Sequence, residues 1–297
     1  MKIKLLGKNL EELKQMVKEE GLPGFAAGQI ARWLYVRKAR SIDEMTDLSK
    51  AAREKLSQKY EVGVTPYSLV QESSDGTKKY MFPVSCSHRR ALNVSCGPDA
   101  EAETLEEGAV EAVMIPDDGR ATLCVSSQSG CRMGCRFCMT GRQGFHGNLS
   151  AADIISQFIA VDETDELTNA VFMGMGEPLD NYENVMRAIE ILTADWGFAW
   201  SPKRITVSTI GVLPNLKRFL DESRCHLAVS LHNPFATERL SVMPVQKAWA
   251  AEDIISLIRQ YDFTGQRRVS FEYTMFAGFN DTKANADDLV RMLRGIE

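Results

Sequence analysis

Apolar side chains recur every three to four positions over residues 9–20, 26–40 and 49–59, and the stretches between them, GLPG and SIDEMTD, hold the Gly, Pro and Asp of turns and helix caps. The pattern predicts short amphipathic helices and a small helical N-terminal domain over 1–62. The period shortens to two at 66–72 and 78–84, around SSDG, so 63–84 reads as a β-hairpin linker. Residues 85–109 lose all periodicity and end in an acidic run, which predicts an exposed loop insertion. From 110 onward short β-branched runs (ATLCVSS, NAVFMG, RITVSTI, CHLAVSLH, RRVSFEYTMF) alternate with helical patterns at 151–161, 182–194, 213–221, 251–260 and 283–294. Such repetition specifies an α/β fold, a parallel sheet or barrel with right-handed crossovers. Five strands and five helices end on a helix with no strand to reach, so a partial (βα)6 barrel over 110–297, its last strand absent, is expected.

Alternation within those strands assigns faces, because successive side chains of a strand point to opposite sides. Thr122, Cys124 and Ser126 oppose Leu123 and Val125; Thr206 and Ser208 oppose Ile205 and Val207; Ala228, Ser230 and His232 oppose Leu227, Val229 and Leu231; Ser270, Glu272 and Thr274 oppose Val269, Phe271 and Tyr273. The apolar set belongs beneath the helices. An ordinary barrel fills its interior mainly with Val, Ile and Leu, so the polar set predicts a ligand cavity. A sheet with one solvated face is the alternative.

Composition adds bounds. With 297 residues, 44% hydrophobic and 25% charged, the chain is long enough for one or two ordinary domains. No apolar run approaches the ~18 residues of a membrane helix, and MKIKLLGKNLEELKQ lacks the apolar core of a signal peptide, so a cytoplasmic protein is expected. The net charge of −5 is uneven: residues 1–60 carry 13 Lys+Arg and 8 Asp+Glu, a balance of +5 that leaves −10 for the remainder. The first sixty residues suit a polyanion.

Seven cysteines are too uneven for a disulfide framework, and three of them, Cys131, Cys135 and Cys138, form C-x3-C-x2-C directly after the first core strand. In parallel α/β folds the loops at the C-terminal ends of strands hold the chemistry. Three thiolates at this spacing can hold three irons of a 4Fe–4S cluster and leave one open to a small molecule. A Cys3His zinc site with His146 and inert buried cysteines remain alternatives. A disulfide among the cysteines is a further expectation, although within this motif it would strand one thiol.

The motifs now carry a resemblance. C-x3-C-x2-C with an aromatic residue before the last cysteine, followed by GMGEP at 174–178, resembles the signature of radical S-adenosylmethionine (SAM) enzymes. TLCVSSQSGCRMGCRFCMTGRQGFHGNLS, VFMGMGEPLDN, ITVSTIGV and LAVSLHNP, in that order, resemble the RlmN family and its relative Cfr over about 1–84 and 110–297. The resemblance implies a radical SAM barrel, a 4Fe–4S cluster on Cys131, Cys135 and Cys138, and SAM contacts from Gly176, Glu177, Ser208, Ser230, Leu231 and His232. It implies Glu111 as a proton acceptor and Cys124 as the cysteine that resolves a covalent intermediate; a merely solvated Glu111 and a core-filling Cys124 are the plain alternatives. In the family one SAM methylates a second, C-terminal cysteine, a second SAM is cleaved to a radical that activates that methyl, and the carbon adds to an adenine of 23S rRNA or tRNA. The target is C2 for RlmN and C8 for Cfr. The implied partners are 23S rRNA, tRNA and a flavodoxin-like or ferredoxin-like reductant, for a monomer with no membrane association.

Within this resemblance Gly176 suits close backbone approach, the Glu177 carboxylate suits the ammonium of SAM, and Leu231, pointing outward, would contact it through its backbone. Arg32, Trp33, Tyr35, Arg37, Lys38 and Arg40 are candidate RNA contacts, with one of the two aromatics expected in the core; Arg132, Arg136 and Arg142 are candidates for phosphate or the SAM carboxylate. The family's methyl-carrying cysteine lies beyond a sixth strand, so the chain is expected to be C-terminally truncated, able to hold a cluster and unable to complete methylation. Cys86, His88 and Cys96 in 85–109 suggest metal, against a plain surface insertion. The rival readings are an inactive fragment of such an enzyme and an RNA-binding protein whose three cysteines hold zinc.

Overall fold

The computed structural model describes residues 2–86, 106–265 and 267–296. The N-terminal domain comprises β1 (Ile3–Lys4), α1 (Leu10–Glu19), α2 (Ala26–Ala31), α3 (Lys50–Lys59) and β2 (Tyr60–Glu61). Asn9 and Glu12 start α1 with a reciprocal capping box: the Asn9 side chain accepts from the Glu12 N–H (3.0 Å) and the Glu12 carboxylate from the Asn9 N–H (2.9 Å). Leu13, Met16 and Val17 form its buried face. α2 runs into a π-helical turn at Arg32–Val36, so the predicted helix ends at 36 rather than 40. β1 pairs in parallel with β2 and closes the domain end to end.

Next come β3 (Leu69–Glu72), β4 (Lys78–Cys86), β5 (Glu106–Asp117) and β6 (Arg120–Cys124), an antiparallel meander. A short hairpin of β7 (Gln128–Gly130) and β8 (Phe145–Asn148) follows, with α4 (Met139–Gln143) in its loop. The chain then winds through α5 (Ala151–Ala160), β9 (Asn169–Phe172), α6 (Tyr182–Thr193), β10 (Ile205–Thr209), α7 (Leu213–Glu222), β11 (His226–Ser230), α8 (Ala236–Val242), α9 (Ala251–Ile258), β12 (Val269–Glu272) and α10 (Lys283–Leu293). One eight-stranded sheet results, in the order β12-β11-β10-β9-β6-β5-β4-β3, and β6, β9, β10, β11 and β12 are its parallel part. This is the expected α/β partial barrel with a small helical N-terminal domain, β12 forming one edge.

Two expectations are corrected. Residues 63–84 are no separate linker, because β3 and β4 extend the core sheet through β5. The ends of the 85–109 segment are strand, with Cys86 opposite Glu106; residues 87–105, with His88 and Cys96, lie outside the described residues. The acidic run masked β5, whose alternation becomes legible only with Val110, Ala112 and Met114 buried on one face.

The register confirms the faces read from the alternation. Cys124 pairs with Val113 and Val171, Val171 with Thr206, Ser208 with Ala228, and Ser230 with Glu272, which puts these residues on one face of the sheet. Leu123, Ala170, Ile205, Val207, Leu227 and Val229, fully buried, form the other face beneath the helices.

Candidate functional site

The β7–β8 hairpin makes the cysteine loop. Gly130 turns the chain with φ +71°, and a Cβ there would lie 1.8 Å from the Gly144 carbonyl, so only glycine fits. The Cys131 N–H donates to that carbonyl (2.8 Å), the Cys138 N–H to the Cys135 carbonyl (3.1 Å), and the Arg136 N–H to the Val242 carbonyl at the end of α8 (2.9 Å). Cys135 is buried and Cys131 and Cys138 half-buried. Cys124, Cys131, Cys135, Cys138 and Cys225 are all free thiols, which overturns the disulfide expectation for them. Cys131, Cys135 and Cys138 share the loop between β7 and α4, while Cys124 ends β6 and Cys225 precedes β11.

Burial, with neighbouring Glu177, Cys135 and Cys138, pushes the Cys131 thiol up to about 12, and burial with Cys138 pushes Cys135 up to about 11. The three thiols thus sense one another on one short loop. Unmetallated, Cys131 and Cys135 are protonated at pH 7; a bound soft cation would remove those protons and offset the repulsion, so the donor set fits an iron–sulfur cluster. Among the described residues no three His, Cys, Asp or Glu side chains are drawn together around a single ion.

The neighbouring loop carries GMGEP. Gly176 has φ +97°, and a Cβ would lie 2.4 Å from the Gln128 Cβ, so the close approach this glycine permits is to the cysteine hairpin. Gln128 ties the two loops: its Oε1 accepts from the Glu177 N–H (2.8 Å) and its Nε2 donates to Asp180 (2.7 Å) and Asn148 (2.8 Å). The Glu177 carboxylate, 3% exposed, accepts from the Leu179 N–H (3.0 Å), the Thr209 hydroxyl (2.6 Å) and the Ile210 N–H (3.0 Å). Both oxygens are engaged inside the protein, so this carboxylate clamps the loops after β9 and β10. Burial outweighs the three donors and pushes its pKa up to about 7.

On the polar face of the sheet the Ser208 hydroxyl donates to Glu272 (3.1 Å) and the Ser230 hydroxyl to the same carboxylate (2.8 Å). Cys124 lies on this face, its thiol pushed up to about 11 by burial and, more weakly, by Glu272. Glu111 shares the face but pairs with Lys79 (3.1 Å) while half-exposed, rather than sitting in an apolar pocket. The backbone of Leu231 is engaged, its N–H on the Glu272 carbonyl (3.1 Å) and its own carbonyl on Arg239 (3.0 Å). His232 adopts φ +58°, packs edge-on against Phe137 of the cysteine loop (5.0 Å), and accepts at Nδ1 from the Thr274 N–H (3.0 Å). Burial and Arg239 push it down to about 4, so it is neutral at pH 7.

The structure therefore gathers the cysteines, Gly176, Glu177 and His232 around the strand ends and sets Cys124, Ser208 and Ser230 on the adjoining polar face; Glu111 lies further along that face, on β5. Among the candidate cations, Arg132 binds Asp180 (2.8 Å), Lys38 binds Asp165 (2.7 Å) and the Thr164 carbonyl (2.7 Å), and Arg40 binds the Ile159 carbonyl (2.8 Å). Lys38 and Arg40 fasten the N-terminal domain to the barrel. Tyr35 is core, and Arg37 stacks on Trp33 (4.2 Å). Sequence reading named Glu272 only as a lining residue and missed Gln128 and Arg239. The alternation of β12 displays Glu272; nothing local marks the other two.

A parallel barrel whose first loop holds C-x3-C-x2-C, clamped to a GMGEP loop, defines a radical SAM protein. Residues 125–290 match the radical SAM superfamily, and residues 3–62 match the ribosomal RNA large subunit methyltransferase N-terminal domain. A probable dual-specificity RNA methyltransferase RlmN from Porphyromonas gingivalis is 55% identical over 99% of this chain and 78% of that protein. A dual-specificity RNA methyltransferase RlmN from Syntrophus aciditrophicus is 36% identical over 99% of this chain and 80% of its own length. The crystal structure of a radical SAM methyltransferase from Sphaerobacter thermophilus superposes with a TM-score of 0.86 at 35% identity, covering 99% of this chain and 82% of that one. The chain belongs to the RlmN family of radical SAM RNA methyltransferases.

Proposed function

We propose that the protein methylates C2 of an adenine in 23S rRNA and in tRNA, using a 4Fe–4S cluster and SAM. The observation that carries this reading is the juxtaposition of three free thiols on one loop with a hydroxyl-and-carboxylate face on the adjoining strands. When bound, the cluster supplies the one-electron reduction that cleaves SAM. Cys131, Cys135 and Cys138 would hold it, the first and last half-buried, the middle one buried.

Ser208, Ser230 and Glu272 form the polar seat for SAM. The Glu272 carboxylate gathers two hydroxyls and is itself half-buried, which suits the ammonium or ribose hydroxyls of the ligand. Gly176 and Glu177 shape the floor, the first by admitting Gln128, the second by holding the Thr209–Ile210 turn. His232 stays neutral and fixes Phe137 beside the cysteines. Glu111 is the candidate proton acceptor and Cys124 the candidate nucleophile; as Cys124 is a thiol at pH 7, a base must take its proton as it reacts. An adenine must leave its stack to reach this face. Arg32, exposed on the N-terminal domain, is the candidate of the 32–40 segment for RNA phosphate, while Arg37 stacks on Trp33 and lies 4.0 Å from Asp47.

The test is to restore the gene, at the full length of its relatives, of which this chain spans about four fifths, to a host stripped of its own adenine-C2 methylation and to digest its RNA to nucleosides. Mass spectrometry is expected to show 2-methyladenosine in 23S rRNA and tRNA. 8-Methyladenosine instead would move the protein to C8 chemistry, and no methylated adenine in either RNA would contradict the proposal.

A further inference from the structure

Arg239, on α8, is fully buried and among the described residues has no carboxylate in ion-pair contact. Its Nε donates to the Leu231 carbonyl (3.0 Å), its Nη2 to the Ile210 (3.4 Å) and Ser230 (3.3 Å) carbonyls, and its Nη1 to Gln246 Oε1. All four acceptors are neutral. A buried guanidinium without an anion is costly, and carbonyl dipoles offset only part of that cost. Burial lowers its pKa to about 10, which still leaves it charged at pH 7, and the fall is opposed by Cys135 in its deprotonated form and then by the exposed Glu252. The cysteine loop rests on the same helix, through the Arg136 N–H on the Val242 carbonyl (2.9 Å), so the helix that carries the cation also braces the residue next to Cys135.

We propose that Arg239 is the built-in counter-charge of the cluster, a positioning residue that raises its reduction potential and locks the Cys135 loop to the turns after β10 and β11. This rests on the reading that Cys131, Cys135 and Cys138 hold a 4Fe–4S cluster. One electron, delivered by a low-potential one-electron donor, adds one negative charge to the thiolate-bound centre. A fixed cation in a low-dielectric interior stabilises the reduced form more than the oxidised one.

Three variants separate charge from bracing. Arg239→Gln removes the cation; Arg239→Lys keeps the charge and loses the forked bridge; Gln246→Glu leaves Arg239 in place and neutralises it with a near-isosteric carboxylate that still accepts from the Ala251 N–H (3.1 Å in the native chain). The measurement is the midpoint potential of the reconstituted protein, followed by electron paramagnetic resonance with dithionite as reductant, alongside iron content and thermal stability. Arg239→Gln and Gln246→Glu are expected to lower the potential and Arg239→Lys to hold it near the native value. Should Arg239→Gln not fold, Gln246→Glu decides. Unchanged potentials in variants that load iron normally would overturn the counter-charge and leave Arg239 a brace. A native protein that takes up no iron would overturn the cluster reading itself.

Discussion

Two polar regions meet at this site, and they are built on opposite rules. In the rim, where the loops after β6, β9 and β10 converge, Gln128, Glu177, Asn181 and Thr209 are all buried and their polar groups bond within the protein. On the polar face of β10, β11 and β12, two hydroxyls converge on the half-buried Glu272. Both regions look alike as polar residues at strand ends. These four rim residues act as scaffold because their groups bond within the protein, the Ser127 hydroxyl beside them being buried without a partner among the described residues, whereas the face is the proposed ligand seat.

The contrast is sharpened by perturbing each side, beginning with the largest effect. Cys135→Ala removes one of three thiolates and is expected to drop iron content from about four per chain to near none, measured by colorimetric iron and sulfide analysis. Gly176→Ala drives a Cβ to 2.4 Å from Gln128 at φ +97°; a loss of about 3 kcal/mol or more in chemical denaturation is expected.

Glu177→Gln sets an amide N–H against one of three backbone or hydroxyl donors and is expected to cost roughly 1–3 kcal/mol. Its pH dependence has a defined sign. Burial raises the Glu177 pKa from 4.5 to about 7, so its contribution is fully present below about 4.5 and is lost as pH rises through about 7. Thermal unfolding of iron-free protein between pH 5 and 8 should show a decline in the native chain that is flatter in Glu177→Gln; equal slopes would contradict the assignment. Glu272→Gln should do the reverse, leaving stability within about 1 kcal/mol while weakening SAM binding about tenfold by equilibrium dialysis. The smallest effect is Lys38→Ala, which loosens the docking of the N-terminal domain by less than about 1 kcal/mol.

The parallel strands, their faces and the cysteine loop were legible because each depends on spacing within a few residues. The β3–β4 hairpin was visible as a pair, but not its joining of the core sheet, since that depends on β5, hidden behind an acidic run. Site chemistry was legible to the level of residue type. A carboxylate at 177 could be read, whereas its engagement by Leu179, Thr209 and Ile210 is a long-range fact. Lys38 and Arg40 likewise read as free cations until the fold set them against residues 159–165. Arg239 had no signal, because its four acceptors lie on three different turns.

The central claim is that the cysteine loop and the Ser208–Ser230–Glu272 face form one site for a cluster and SAM. Anaerobic reconstitution with iron and sulfide, metal analysis, and then SAM addition under an electronic spectrum tests it most directly. The account predicts about four irons per chain and a spectrum that changes with SAM in the native protein but much less in Glu272→Gln. One zinc and no iron, or a cluster indifferent to SAM, would contradict it.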